Sequence, residues 1–160
     1  MKKIVLAAGL ILAMASSASA EVIRHTTPGS NFPILRAVEI PPEATLVYLS
    51  GVVPGVTNQD AAQGSPESFG DTKAQTVSVL ERITANLEAL DLTMGDVVKM
   101  QVYLVADSSG SMDFAGFMEG YTQFFATEEQ PNFPTRSVFQ VAGLANPNWL
   151  VEIEVVAVRD

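Results

Sequence analysis

The chain has 160 residues, of which 48% are hydrophobic, contains no cysteine, and carries a formal net charge of −9 at pH 7. Its size and apolar content allow a domain with a substantial core, whereas the lack of cysteine excludes disulfides and thiolate metal centres. A chain this acidic is repelled by nucleic-acid phosphates and anionic membranes, although a single local arginine can still bind a small anion.

The first 20 residues have the pattern of a cleavable signal peptide. Two lysines precede an apolar stretch of 12 residues (4–15), and Ala18-Ser19-Ala20 fits the small-x-small cleavage site. Twelve apolar residues are too few to span a bilayer, so an uncleaved anchor is the weaker alternative. We expect cleavage after Ala20, which removes both lysines and takes the net charge to −11. The remainder, 21–160, is then a single periplasmic or secreted domain with no membrane contact.

The first part of this domain predicts two short strands and a long loop. Residues 21–32 have the composition of a polar lead-in. Strands are predicted over 37–40 and 46–50, and Pro41-Pro42 interrupts them. The polar segment 57–70 is longer than a usual connection. A loop of that length is either functional or mobile.

A long helix and a strand come next. Residues 72–75 have the form of a capping box, and Asp71 just ahead suits the positive end of the helix dipole. Residues 98–104 then alternate between apolar and polar side chains, which predicts a strand. The apolar residues at helical spacing are Val77, Leu80, Ile83, Leu87 and Leu90.

A second helix is predicted from Ser111 or Asp113, and two strands over 137–142 and 150–158 end the chain. Its aromatic stripe is expected in the core rather than around a cofactor. This order of elements predicts an α+β domain, a mixed β-sheet with two helices on one face. The stripe consists of Phe114, Phe117, Met118, Tyr121, Phe124 and Phe125.

The last strand has two different faces. Val151 and every second residue after it present an apolar surface to the helices, whereas Glu152 and Glu154 point to the opposite face. Two helices are too few to cover both faces of the sheet. We therefore predict that another copy of the chain covers the second face, in a homo-oligomer.

Arg136 and the two glutamates are the candidate site. A guanidinium close to carboxylates can hold a small carboxylate ligand in a fixed pose, and the alternative is an ion pair that only stabilises packing. His25 is the only histidine, and the sequence contains no Gly-x-Ser-x-Gly motif. A Ser-His-Asp relay is therefore excluded. No metal-ligand pattern and no phosphate-binding loop are present, so we expect no metal, no cofactor and no nucleic-acid partner.

From Leu46 to Arg159 the sequence resembles the RidA/YjgF family of small trimeric proteins. The resemblance covers about 110 residues, with its matching segments in order and at family-like spacing. The matching segments are Leu49-Ser50-Gly51 with Pro54, Gln75-Thr76, 95–99, Met112-Asp113-Phe114, Tyr121 with Phe124-Phe125, 133–137 and 151–154.

The resemblance implies a chorismate-mutase-like fold, a homotrimer with a cleft between each pair of subunits, and hydrolysis of small enamine or imine acids to 2-keto acids and ammonia. By similarity, Arg136 binds the substrate carboxylate and Glu152 positions or activates water. The backbone at Val138 contacts the substrate nitrogen, and Ser50 is a further substrate-binding residue. Periodicity does not separate Glu152 from Glu154, which could equally be the acidic residue of the site; the family's spacing before the terminal arginine favours Glu152.

The sequence departs from the family pattern at three positions of the implied cleft. Ile34 stands where active deaminases carry a tyrosine, Met118 where they often carry an asparagine, and Val138 where a cysteine is frequent. The cleft is therefore more apolar than usual, which suits an imino acid with a larger apolar side chain. The alternative is a trimer that binds small carboxylates without turnover. A ribonuclease activity has been assigned to some relatives, but the negative charge and the export signal argue against it for this chain.

Overall fold

The computed structural model describes residues 21–107 and 110–159; the predicted signal peptide lies outside them. None of the described helices is long and apolar enough to cross a membrane. The elements, in chain order, are β1 (Ile23–His25), β2 (Ala37–Glu39), β3 (Thr45–Tyr48), α1 (Pro66–Phe69), α2 (Thr72–Glu88), a 3₁₀ turn (Met94–Asp96), β4 (Val97–Val105), α3 (Phe114–Tyr121), β5 (Thr135–Val141) and β6 (Val151–Arg159).

The main sheet has four strands in the order β3-β6-β4-β5. β6 is antiparallel to both of its neighbours, whereas β4 and β5 are parallel and are connected through α3. The predicted α+β fold with a mixed sheet is thus confirmed. β5 is an edge strand, so part of its backbone is free to contact a ligand.

Three predictions about the first half of the domain are wrong. The lead-in 21–32 contains β1, which pairs with β2 in a separate two-stranded sheet. The loop 57–70 ends in α1, which has Pro66 in its first turn, where proline is well tolerated. The N-cap of α2 is Asp71, whose side chain accepts a 2.8 Å hydrogen bond from the backbone N–H of Ala74. Asp71 takes the N-cap position instead of the expected Thr72, because its carboxylate also interacts favourably with the positive end of the helix dipole.

The second helix is shorter than the aromatic stripe predicts. Asp113 caps α3, and the helix ends at Tyr121, so that Phe124 and Phe125 lie beyond it. Phe125 is nevertheless fully buried and stacks on Tyr121 with ring centroids 4.8 Å apart. The stripe therefore belongs to the core, as predicted, although its last two members are not helical.

The core lies between the sheet and helices α2 and α3. Each buried aliphatic or aromatic side chain there contributes roughly 1.5–3 kcal/mol to folding. The two helices approach each other closely at Gly120. A Cβ placed on this residue would lie only 2.8 Å from the Cβ of Thr76. The fully buried members of this core include Val79, Leu80, Ile83, Leu87, Met100, Val102, Phe117, Tyr121, Val151, Ile153 and Ala157.

The opposite face of the sheet, here called the open face, carries Tyr48, Tyr103, Phe139, Glu152 and Glu154. Tyr48 is 73% exposed and Phe139 is 49% exposed, and the rings of Tyr103 and Phe139 stack 6.3 Å apart. Large apolar side chains are seldom left in contact with water in such a cluster. The open face therefore has the composition of a surface that another molecule covers.

Candidate functional site

Arg136 lies on the helix-covered face of the sheet. It is opposite Met100 of β4, which in turn is opposite Val155 of β6, and both of those residues are buried. Its guanidinium carbon Cζ lies 4.2 Å from the ring centroid of Tyr121 and 5.1 Å from that of Phe117. Such contacts stabilise a cation through the negative faces of the rings.

The ring of Phe32 contacts the same guanidinium, with its centroid 5.6 Å from Cζ. Phe32 comes from the segment before β2, whereas the other two rings belong to α3. Three aromatic side chains, here called the aromatic cage, therefore hold the arginine in one orientation.

The donors of Arg136 are largely unused. Nη2 contacts the Sδ atom of Met118 at 3.3 Å, a weak acceptor, whereas Nε and Nη1 are buried and have no hydrogen-bond partner in the described part of the chain. Burial lowers the pKa of Arg136, an effect that Tyr121 partly offsets, but a guanidinium stays charged in proteins. A partly buried cation whose buried donors are unsatisfied is costly. A bound carboxylate would satisfy two donors at once.

A groove of about 360 Å³, here called the arginine groove, opens beside Arg136. Arg36 and Lys99 line it together with Arg136, so three cations meet there in a chain of strongly negative net charge. The potential in this groove therefore favours a small anion. Ile34, Leu35, Met100, Thr135 and Ser137 form the rest of its lining.

Four of the predicted site residues come together in this region. Ile34 lines the groove, Met118 touches the guanidinium, and Val138 follows two residues after Arg136 on the same face of β5. Val138 packs against the core with its side chain. Only the backbone of Val138 is then a candidate for contact with a substrate, as the resemblance implies.

Glu152 lies elsewhere. It is opposite Tyr103 of β4, which is opposite Phe139 of β5, on the open face. Glu152 is therefore three residues along and two strands across from Arg136, about 10 Å in each direction. The expectation that Arg136 lies beside the two glutamates is wrong for a single subunit. Alternation assigns faces within each strand, but only the register between strands relates one strand's faces to another's.

The two glutamates differ in their contacts. The Tyr103 hydroxyl donates a 3.0 Å hydrogen bond to Glu154, and Gln101 donates to the same hydroxyl at 3.1 Å. The bond to Glu154 raises the pKa of Tyr103. Glu152 makes no hydrogen bond or ion pair with any residue that the structure describes. Of the two carboxylates, that of Glu152 is free to orient water.

Ser50 lies near Glu152 and not in the arginine groove. Glu152, Gly51 and Ser50 are here called the Glu152 region. Ser50 is exposed and precedes Gly51, where a Cβ would overlap the carboxylate of Glu152. The glycine therefore leaves room for the carboxylate in its present position. Ser50 itself lines a shallow groove with Arg82 and Asn86.

The aromatic cage was missed as part of a site. Phe117 and Tyr121 are four residues apart on a helix, a spacing that places both rings on one face, but their apolar character predicted only core packing. Phe32 offers no local signal, because tertiary packing alone brings its segment to α3. Arg36 and Lys99 were not predicted as site residues either, although Lys99 ends the matching segment 95–99.

Comparison with known proteins relates most of the chain to one group. Residues 32–159 match the family model described as Endoribonuclease L-PSP. A 2-iminobutanoate/2-iminopropanoate deaminase of Salmonella typhimurium is 33% identical over 141 residues, which cover 88% of this chain and 98% of the relative. A RutC family protein of Haemophilus influenzae is 37% identical over 139 residues, with coverage of 86% and 96%.

Solved structures give the same relation. The crystal structure of Escherichia coli TdcF with bound serine has a TM-score of 0.58 and 32% sequence identity. The similarity covers 89% of this chain and all of TdcF. The sheet order and the helix layer described above are therefore those of a known fold.

Proposed function

The chain belongs to the Endoribonuclease L-PSP family, the RidA/YjgF group, whose named relatives support a RidA-type deaminase activity, and we propose that it hydrolyses small reactive enamine or imine acids. The observation that carries the proposal is the guanidinium of Arg136, which is held by the aromatic cage with two buried nitrogens unpaired among the described residues. A 2-imino acid supplies the carboxylate that such an arginine binds.

In the proposed reaction, Arg136 binds the substrate carboxylate and the backbone at Val138 contacts the imine nitrogen. Water adds to the imine carbon, the carbon–nitrogen bond breaks, and a 2-keto acid and ammonia leave. Glu152 orients the water, accepts a proton from it as it adds, and returns that proton to the nitrogen, which leaves as ammonia. Because imines are reactive, holding the reactants in register and moving one proton suffices for catalysis, and no cofactor is required.

The site is completed by a second subunit. Arg136 and Glu152 lie on opposite faces of the same sheet, so one copy of the chain does not bring them together. The exposed rings of Tyr48 and Phe139 on the open face favour contact with another copy. We propose a homotrimer in which Glu152 of one subunit, with Ser50 beside it, faces the arginine groove of the next.

The substrate class follows from the groove walls. Ile34 lines the groove, and Phe32 and Met118 contact the guanidinium of Arg136 beside it. They favour an imino acid whose side chain is apolar and larger than a methyl group. We also propose the periplasm or the exterior as the place where such substrates are met, on the basis of the signal-like first 20 residues.

One observation favours an alternative function. Among the residues that the structure describes, no carboxylate lines the groove beside Arg136, so a single subunit would bind anions there without a proton acceptor. The alternative is a trimer that binds small carboxylates without turnover. An RNA substrate is disfavoured by the net charge of −9.

A coupled assay tests the proposal. A serine or threonine dehydratase generates the imine, semicarbazide captures what remains, and keto-acid release is followed with and without the purified protein. We expect faster release with wild type and none of that gain with Arg136→Ala. The control is Arg159→Ala, which removes the same charge from an exposed residue at the end of β6.

Two outcomes would contradict the proposal, the first its assignment of Arg136 and the second its deaminase activity. Equal acceleration by wild type and Arg136→Ala would remove the arginine from the reaction. Pyruvate binding without any acceleration would select the binding function instead.

A further inference from the structure

Tyr121 contacts both Arg136 and the segment before β2. Its ring supports the guanidinium of Arg136 at 4.2 Å, and its hydroxyl donates a 3.0 Å hydrogen bond to the backbone carbonyl of Pro33. Tyr121 is fully buried and is stacked on Phe125. One rigid side chain thus contacts both the arginine and the segment before β2.

That segment contacts both the guanidinium and the groove. Phe32 lies over the guanidinium and Ile34 faces the groove, with Pro33 between them. Residues 32–34 belong to no helix or strand. The amide of Leu35 donates to the carbonyl of Pro134 at 3.1 Å, just beyond the segment. The bond from Tyr121 therefore anchors the segment to α3 at its centre.

We propose, resting on the proposed function, that Tyr121 is a positioning residue. It fixes the positions of both Arg136 and the apolar segment beside the groove. Its ring fixes the plane of the guanidinium, and its hydroxyl holds the segment 32–34 in place. Loss of the hydroxyl would then weaken substrate binding and leave the chemistry of the bound substrate unchanged.

The test uses Tyr121→Phe, which keeps the ring and removes the hydroxyl. Its control is Thr84→Val on α2, which removes another hydroxyl that donates to a backbone carbonyl, that of Leu80 at 2.9 Å. Hydrogen exchange is measured for the peptide that contains the Leu35 amide. KM and kcat are measured for 2-iminobutanoate, and the Kd for pyruvate.

With Tyr121→Phe we expect exchange at this peptide, KM and Kd each to rise about five-fold, as for the loss of one hydrogen bond, with kcat within about two-fold. Thr84→Val should leave all four quantities at the wild-type level. Phe32→Ala removes an exposed ring without loss of the anchor. It should raise KM and Kd with little change in exchange.

Unchanged exchange, KM and Kd in Tyr121→Phe would overturn the positioning role, as would a fall in kcat at constant KM. Equal changes in Thr84→Val would also overturn it, because the effect would then be general destabilisation. If the wild type turns over no imine, the deaminase fails by itself. Exchange and the Kd for pyruvate still decide the role of Tyr121.

Discussion

The arginine groove and the Glu152 region are built in different ways. Arg136 is held by side chains of its own subunit, with rings from α3 and from the segment before β2. Glu152 lies on the open face and makes no hydrogen bond or ion pair with the described residues. In the proposed function, the group that binds substrate needs a rigid support, which one chain supplies. The carboxylate that moves a proton needs to be available, and we propose that it faces a partner subunit.

The largest expected effect separates binding from turnover. Glu152→Gln should lower kcat about 100-fold or more, because the proton acceptor is lost, with little change in the Kd for pyruvate. Arg136→Ala should weaken pyruvate binding by about 10- to 100-fold, since charged hydrogen bonds are lost. Calorimetry and the coupled assay on both variants check this. A loss of pyruvate binding in Glu152→Gln would contradict the separation of binding from turnover.

A mixed oligomer tests whether the two regions meet across subunits. Arg136→Ala and Glu152→Gln are each inactive in this scheme, and co-expression should restore activity. In an equal mixture about a quarter of the sites pair an intact arginine with an intact glutamate, so about a quarter of wild-type activity is expected. Activity no higher than that of the separate variants would contradict a shared site.

Gly51→Ala should sharpen the assignment of Glu152. The new Cβ would overlap the carboxylate, which then has to move, whereas the exposed backbone there leaves the core untouched. We expect kcat to fall about ten-fold, as for a displaced catalytic group, with the melting temperature nearly unchanged. Glu154→Gln is the matched control, since its partner is Tyr103, and it should retain most activity.

The smallest effect concerns substrate preference in the arginine groove. Met118→Asn exchanges an apolar contact of Arg136 for a polar one. We expect the ratio of kcat/KM for the imine with the larger side chain to that for 2-iminopropanoate to fall about three- to ten-fold, the scale of one or two buried methylene groups. The substitution lies outside the Glu152 region. An unchanged ratio would show that the groove walls do not select the side chain.

The sequence predicts the α+β class, the strand that becomes β6 and the two layered helices, because hydrophobic periodicity is a local property. The same periodicity marks Val151, Ile153 and Ala157 as buried. Short elements such as β1 and α1 escaped, since three or four residues carry too little pattern to be distinguished from a loop.

For the site, the sequence by itself determined the residue types: one arginine after a turn, two glutamates two residues apart, and apolar residues at Ile34 and Met118. Only the tertiary structure decided which of them meet. The register of β5 against β4 and β6 puts Arg136 and Glu152 on opposite faces, and packing of the segment before β2 on α3 builds the aromatic cage. Alternation is fixed within a strand, but register and packing depend on contacts between residues far apart in the chain, which no local pattern encodes.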